Sequence, residues 1–151
     1  MSSDSRITKV LSCGLVVVRK DEDQRLCLLA LRHFSSWDFV IATLEGDADP
    51  LQAAIDHVRE ATGISDLSLP WGDAHRDTLA DEAGQVSRYF LAQTQTEEVL
   101  LSIPAGSGSQ EDYEYRWVTT EEAEDILPPR LAIVLDWVCA QLASGIPVDS
   151  D

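Results

Sequence analysis

Lysine is almost missing from this chain: Lys9 and Lys20 are the only two. Lys and Arg together number 11 against 27 Asp and Glu, for a formal net charge of -16. A polynucleotide partner needs clustered basic residues to neutralise its phosphates, so no polynucleotide is expected. A small anion is not excluded, because two unit charges about 10 Å apart in water interact by only about 0.4 kcal/mol before screening. The same composition fits adaptation to high salt, which stability in molar salt would test. Cysteine is also scarce. Cys13, Cys27 and Cys139 are far apart and without C-x-x-C spacing, which excludes a disulfide framework and the usual zinc sites and leaves three expected buried thiols. No run approaches the roughly 18 apolar residues of a membrane span. The start, Met1-Ser2-Ser3-Asp4-Ser5-Arg6, is polar, so a cytoplasmic protein with no membrane partner is expected.

What is present fits one domain over residues 1–151, with 44% hydrophobic content and its core at about 7–145, burying roughly 68–70% of the unfolded surface. The continuous apolar run Val10–Val18 predicts a strand covered on both faces. After the polar turn Lys20–Gln24, Leu26–Leu31 predicts its hairpin partner, and Trp37–Ile41 a short extended piece. Asp49 before Pro50 pairs an N-cap with a first-turn proline. Leu51, Ala54, Ile55, Val58 and Ala61 then recur at helical spacing up to Gly63. Short strands are expected at Leu67–Pro70, Ala74–Leu79, Ser87–Ala92, Val99–Ile103 and Tyr115–Val118, and a flexible loop at Ala105–Ser109. Thr119-Thr120 should cap a short helix ending at Ile126. Pro128 and Pro129 precede a last amphipathic helix from Leu131 to Leu142, with a loose tail from Gly145. The expected class is α/β: a mixed β-sheet sandwiched between α-helices.

The segment Thr43–Ile64 carries the chemistry-bearing pattern. With Thr62-Gly63-Ile64 closing it, Val58 takes an aliphatic position and Ala53-Ala54-Ile55 a packing face. In that register it resembles the Nudix box, G-x5-E-x7-R-E-U-x-E-E-x-G-U with U aliphatic. Trp37-Asp38-Phe39, Tyr89-Phe90-Leu91-Ala92 and Tyr115-Arg116-Trp117-Val118 resemble flanking segments of the family, the last typical of its dinucleoside-polyphosphate pyrophosphohydrolase branch. The resemblance spans about residues 10 to 142 and implies the Nudix fold. In that family, box glutamates hold Mg2+ or Mn2+ against a pyrophosphate that water attacks.

Here the box is degenerate. Ala42 stands for the opening glycine, Ala48 for the first glutamate and Asp56 for the arginine; on the helix, His57 and Ala61 replace two of three glutamates and only Glu60 remains. A hard divalent ion needs several oxygen ligands, so loss of two from one helix face should weaken metal binding and water activation together. The resemblance makes Glu60 and Glu111 the catalytic candidates, and Glu60, Asp56, His57 and Glu45 the metal candidates. A mixed oxygen and imidazole set suits Mn2+, Zn2+ or Fe2+ better than Mg2+. The competing reading makes Asp56 and His57 solvated residues pairing with Arg59 or other neighbours, and Glu111 part of an acidic loop. For a phosphorylated ligand the candidates are Arg32, His33, Arg76 and Arg88, with Tyr89, Tyr113 or Tyr115 stacking on a base. Strand arginines and tyrosines more often serve ion pairing and packing, and Trp37 and Trp117 are expected in the core. The expected function is a Nudix-like domain with lost or much reduced hydrolysis that binds a nucleotide or other phosphorylated molecule. Its rivals are an active hydrolase with a non-standard ligand set and an acidic protein-interaction module.

Overall fold

β1 (Lys9–Lys20) is the strand from which the others are placed, and its centre, Cys13 to Val18, is buried. A computed structural model describes residues 9–103, 106 and 108–146 of the chain. The expected polar start, Ala105 and Ser107 of the expected loop, and the tail beyond Ile146 lie outside the described residues.

The apolar run of β1 is continuous because both of its faces are covered. Val16 and Val18 enter one core cluster with Val134, Leu135 and Val138, while Cys13, Leu15 and Val17 enter a second with Ala54, Ile55 and Val58. The other strands are β2 (Leu26–His33), β3 (Ser36–Asp38), β4 (Val40–Thr43), β5 (His75–Asp77), β6 (Gln85–Gln93) and β7 (Tyr113–Val118). The sheet runs β3-β2-β1-β6-β5, with β4 also on β1 and β7 also on β2. β6 is parallel to β1 and the other pairings are antiparallel, so the sheet is mixed as expected. α1 (Pro50–Thr62) covers one face; α2 (Thr120–Ile126) and α3 (Ala132–Ala143) cover the other.

α1 begins and ends where its sequence says it should. The Asp49 carboxylate accepts from the Gln52 N–H at 2.9 Å, and Gly63 closes the helix at φ 77°, a left-handed conformation that favours glycine. α2 starts with a capping box between Thr119 and Glu122.

Three of the expected strands are corrected. The single extended piece Trp37–Ile41 divides at the buried Phe39 into β3 and β4. Leu67–Pro70 forms only an isolated bridge, Ser68 with Gln93. Val99–Ile103 joins no sheet: the Leu100 and Ser102 N–H groups donate to the Thr62 and Ala61 carbonyls, both at 2.9 Å, so the segment satisfies the orphan carbonyls ending α1. Trp37 and Trp117 are half-buried and pack against the two core clusters, and each also supports a guanidinium, Arg116 over Trp37 at 4.9 Å and Arg19 over Trp117 at 5.4 Å. Cys13 and Cys27 are buried, while Cys139 is half-buried.

One close approach controls the centre of the sheet. Gly14 on β1 faces Tyr89 on β6, and a Cβ at Gly14 would stand 2.7 Å from the Tyr89 ring. Gly14→Ala should therefore displace that ring and lower unfolding stability by about 1–3 kcal/mol. Urea denaturation measures it; an unchanged midpoint would show that the ring has room to move.

Candidate functional site

The cleft arises from how β1 shares one edge. Val18–Lys20 pair with β2, whereas Ser12–Leu15 pair with β4. β2 therefore parts from β1 and continues between β7 and β3. The diverging strands and α1 enclose a cleft of about 450 Å3. β2 supplies Leu31, Arg32 and His33 to its lining, β3 Ser36 and Asp38, α1 His57 and Ala61, and β7 Tyr113, with Phe39, Ile41, Leu101 and Ser102 completing it.

A larger hollow of about 560 Å3 lies between β6 and the start of α3. Its walls include Leu11, Leu79, Val86, Pro129 and Ile133, and its one guanidinium, Arg130, is bound to Asp38. The smaller cleft carries the residues suited to an anion and is the better candidate.

Arg32 is braced on its own wall. Nε donates to Glu114 at 3.0 Å, Nη1 to the Phe34 carbonyl, and Nη2 to the Glu111 carbonyl at 3.4 Å, leaving part of the donor fork for a ligand. His33 stacks on Tyr113 with centroids 4.4 Å apart and planes 14° apart. His57 is half-buried on α1 and has no hydrogen bond or ion pair among the described residues. Burial holds its imidazole below the usual histidine range, with the Glu60 carboxylate opposing the shift.

The other candidates are distributed around the molecule. Asp56 is exposed, accepts from Gln52 Nε2 at 2.9 Å and lies 3.9 Å from Arg59, which agrees with the solvated pairing reading. Glu60 and Glu45 are exposed, the latter in the loop before α1. Glu111 is exposed in a 3-10 turn, with its carbonyl on Arg32. Arg76 is exposed on β5 and Tyr115 on β7, and neither lines the cleft. Two expectations are corrected outright. Arg88 is held by Asp77 through hydrogen bonds of 2.8 and 3.1 Å, within the β5–β6 pair. Tyr89 is fully buried, so its ring offers no face to a base.

Sequence reasoning missed Asp38. Its Oδ1 accepts from Tyr89 Oη at 2.9 Å and the Phe39 N–H at 2.6 Å, and its Oδ2 from Arg130 Nη2 at 2.8 Å. Burial raises its pKa, and the guanidinium and phenol oppose the rise. The W-D-F segment named the position, but its partners lie 51 and 92 residues away.

The described residues of the cleft do not fit a divalent cation. Among the described residues no three His, Cys, Asp or Glu side chains are grouped to hold one. Of the residues lining the cleft, Asp38 alone is a carboxylate, and Arg130 already occupies it. No described helix is long and apolar enough to cross a membrane.

Among solved structures, the chain is similar to a C. elegans Ap4A hydrolase binary complex at 26% identity, covering 88% of this chain and 98% of that one, with TM-score 0.71. It is similar to RenU, a Nudix hydrolase from M. smegmatis, at 18% identity over 91% and 88%, TM-score 0.66. The NUDIX domain of Shewanella oneidensis NrtR complexed with ADP ribose matches at 14% identity over 89% and 88%, TM-score 0.65. No family model and no curated protein matches the chain. The chain has the Nudix fold, whose hydrolases normally use Mg2+ or Mn2+.

The Asp38–Arg130 contact generates a pH-dependent expectation. A raised folded-state pKa means that Asp38 favours folding fully below its unfolded pKa and loses that contribution as pH rises through the folded value. Arg130 offsets part of this loss. Arg130→Ala should therefore lower stability at neutral pH by about 1–2 kcal/mol, discounted for the half-exposed guanidinium. The deficit should shrink once acid protonates Asp38. Urea midpoints at neutral and acid pH decide it, and an equal deficit at both would reject the pairing as its cause.

Proposed function

We propose that this Nudix-fold domain binds a nucleotide or another small phosphorylated molecule in the cleft between α1 and the β2–β3–β7 strands. Metal-dependent pyrophosphohydrolysis is lost or much reduced. One observation carries the reading: α1 turns His57 and Ala61 into the cleft, at the positions where the resembling box has two of its three helical glutamates. Arg32 and His33 on β2 and Tyr113 on β7 complete a wall with polar and aromatic character. Such a wall suits an anion joined to a planar ring. The Ap4A hydrolase and ADP-ribose-bound NrtR structures support a nucleotide ligand by similarity of fold.

The hydrolase reading keeps its place because the Ap4A hydrolase match, at 26% identity, spans nearly the whole of both chains. It assigns turnover to Glu60 and Glu111, with Glu45, Asp56 and His57 as further candidates for metal contact. The two readings separate in one assay. Calorimetry against ADP, ADP-ribose and diadenosine tetraphosphate should show binding with little phosphate release in Mg2+ or Mn2+, and Glu60→Gln should change neither. Rapid metal-dependent release that collapses in Glu60→Gln selects the hydrolase, whereas silence across the panel removes both.

A further inference from the structure

The charges of the protein are unevenly placed. Asp and Glu number 27 in the chain, yet Asp38 is the one carboxylate among the residues lining the cleft. Its two oxygens accept from Tyr89, Phe39 and Arg130, so little of its negative field is left for a ligand. The remaining ionisable lining is Arg32, His33, His57 and Tyr113. The other acidic side chains near it lie outside the lining: Glu114 is paired with Arg32 Nε at 3.0 Å, Asp56 is held by Gln52 and Arg59, and Glu45, Glu60 and Glu111 are exposed.

A site for phosphate bridged by a metal and a site for phosphate held directly need opposite linings. The first needs several carboxylate oxygens to neutralise the cation, and the second needs those carboxylates removed because they repel the anion. This cleft has the second kind of lining. His57 is half-buried, free of hydrogen-bonding partners among the described residues, and carries ring nitrogens able to donate to a phosphate oxygen. Ala61, one turn further along α1, adds no charge and leaves room beside it.

We infer that the cleft holds the phosphate of its ligand directly on protein side chains, with no divalent cation between them, and that His57 is the contact on α1. His33 and the unused donors of Arg32 meet the anion from β2. The inference rests on the reading of this cleft as a phosphate-ligand site and adds the means of recognition.

The test uses ADP, ADP-ribose and inorganic pyrophosphate, titrated calorimetrically into the 151-residue chain in EDTA and in millimolar Mg2+. Affinity in EDTA should equal or exceed that in Mg2+, since free cation competes for the same phosphate. His57→Ala should weaken binding about tenfold, as expected for loss of one charge-assisted hydrogen bond. Paired His57→Glu and Ala61→Glu substitutions should abolish binding in EDTA and make what remains depend on metal. Circular dichroism and melting midpoints confirm that the variants fold, and the EDTA comparison needs no variant. Binding that requires Mg2+ or Mn2+, or is unmoved by His57→Ala in a folded protein, overturns direct contact while leaving the ligand-binding function standing. No binding of any probe in either condition overturns that function and this inference with it.

Discussion

β1 is hydrogen-bonded along both edges and packed on both faces, and the rest of the structure is arranged around that constraint. Its register with β6 runs from Lys9 to Val18, broken by a bulge at Leu11. On the other edge β2 and β4 divide the strand between them, since neither pairs along its whole length. That division separates β2 from the centre of the sheet, and the separation is the cleft. α1 lies across it because Ala54, Ile55 and Val58 bury against Cys13, Leu15 and Val17, which leaves His57 and Ala61 turned toward β2. The residues that define the site are therefore positioned by backbone pairing and by a helix whose caps are local.

The Asp38, Tyr89 and Arg130 contacts join parts of the molecule that pairing alone does not. Tyr89 comes from a strand on the far side of β1, passes over Gly14, and reaches Asp38 at the end of β3. Arg130 arrives from the turn between α2 and α3. The cleft wall is thereby tied to the helical layer behind the sheet. The contact also keeps the one carboxylate of the cleft occupied, so the lining remains suited to an anion in a strongly acidic protein.

What was legible in the sequence follows the range of the interactions concerned. Asp49, Pro50 and Gly63 marked α1 because capping is decided within a few residues. The run of β1 announced a doubly covered strand, and Thr119 with Glu122 announced α2. Partner choice was not legible. Arg88 looked as available to a phosphate as Arg32 until Asp77 appeared beside it on the neighbouring strand, and Tyr89 looked like a stacking surface until Gly14 admitted its ring to the core. Val99–Ile103 has the composition of a strand, but the carbonyls ending α1 claimed its N–H groups. The placing of His57 and Ala61 at positions of the resembling box could be read from residue order alone, whereas the scarcity of carboxylates in the cleft lining required the fold.

The sheet also ends abruptly. β3 and β5, at the two ends of its strand order, are three residues each, while β7, six residues long, pairs with β2 alone among the described strands. The β3 and β5 edges offer few free N–H and C=O groups to template another chain, and the strong like charge of neighbouring copies opposes their approach at every edge. Edge-to-edge pairing is therefore opposed by both length and charge at β3 and β5, and by charge alone at β7.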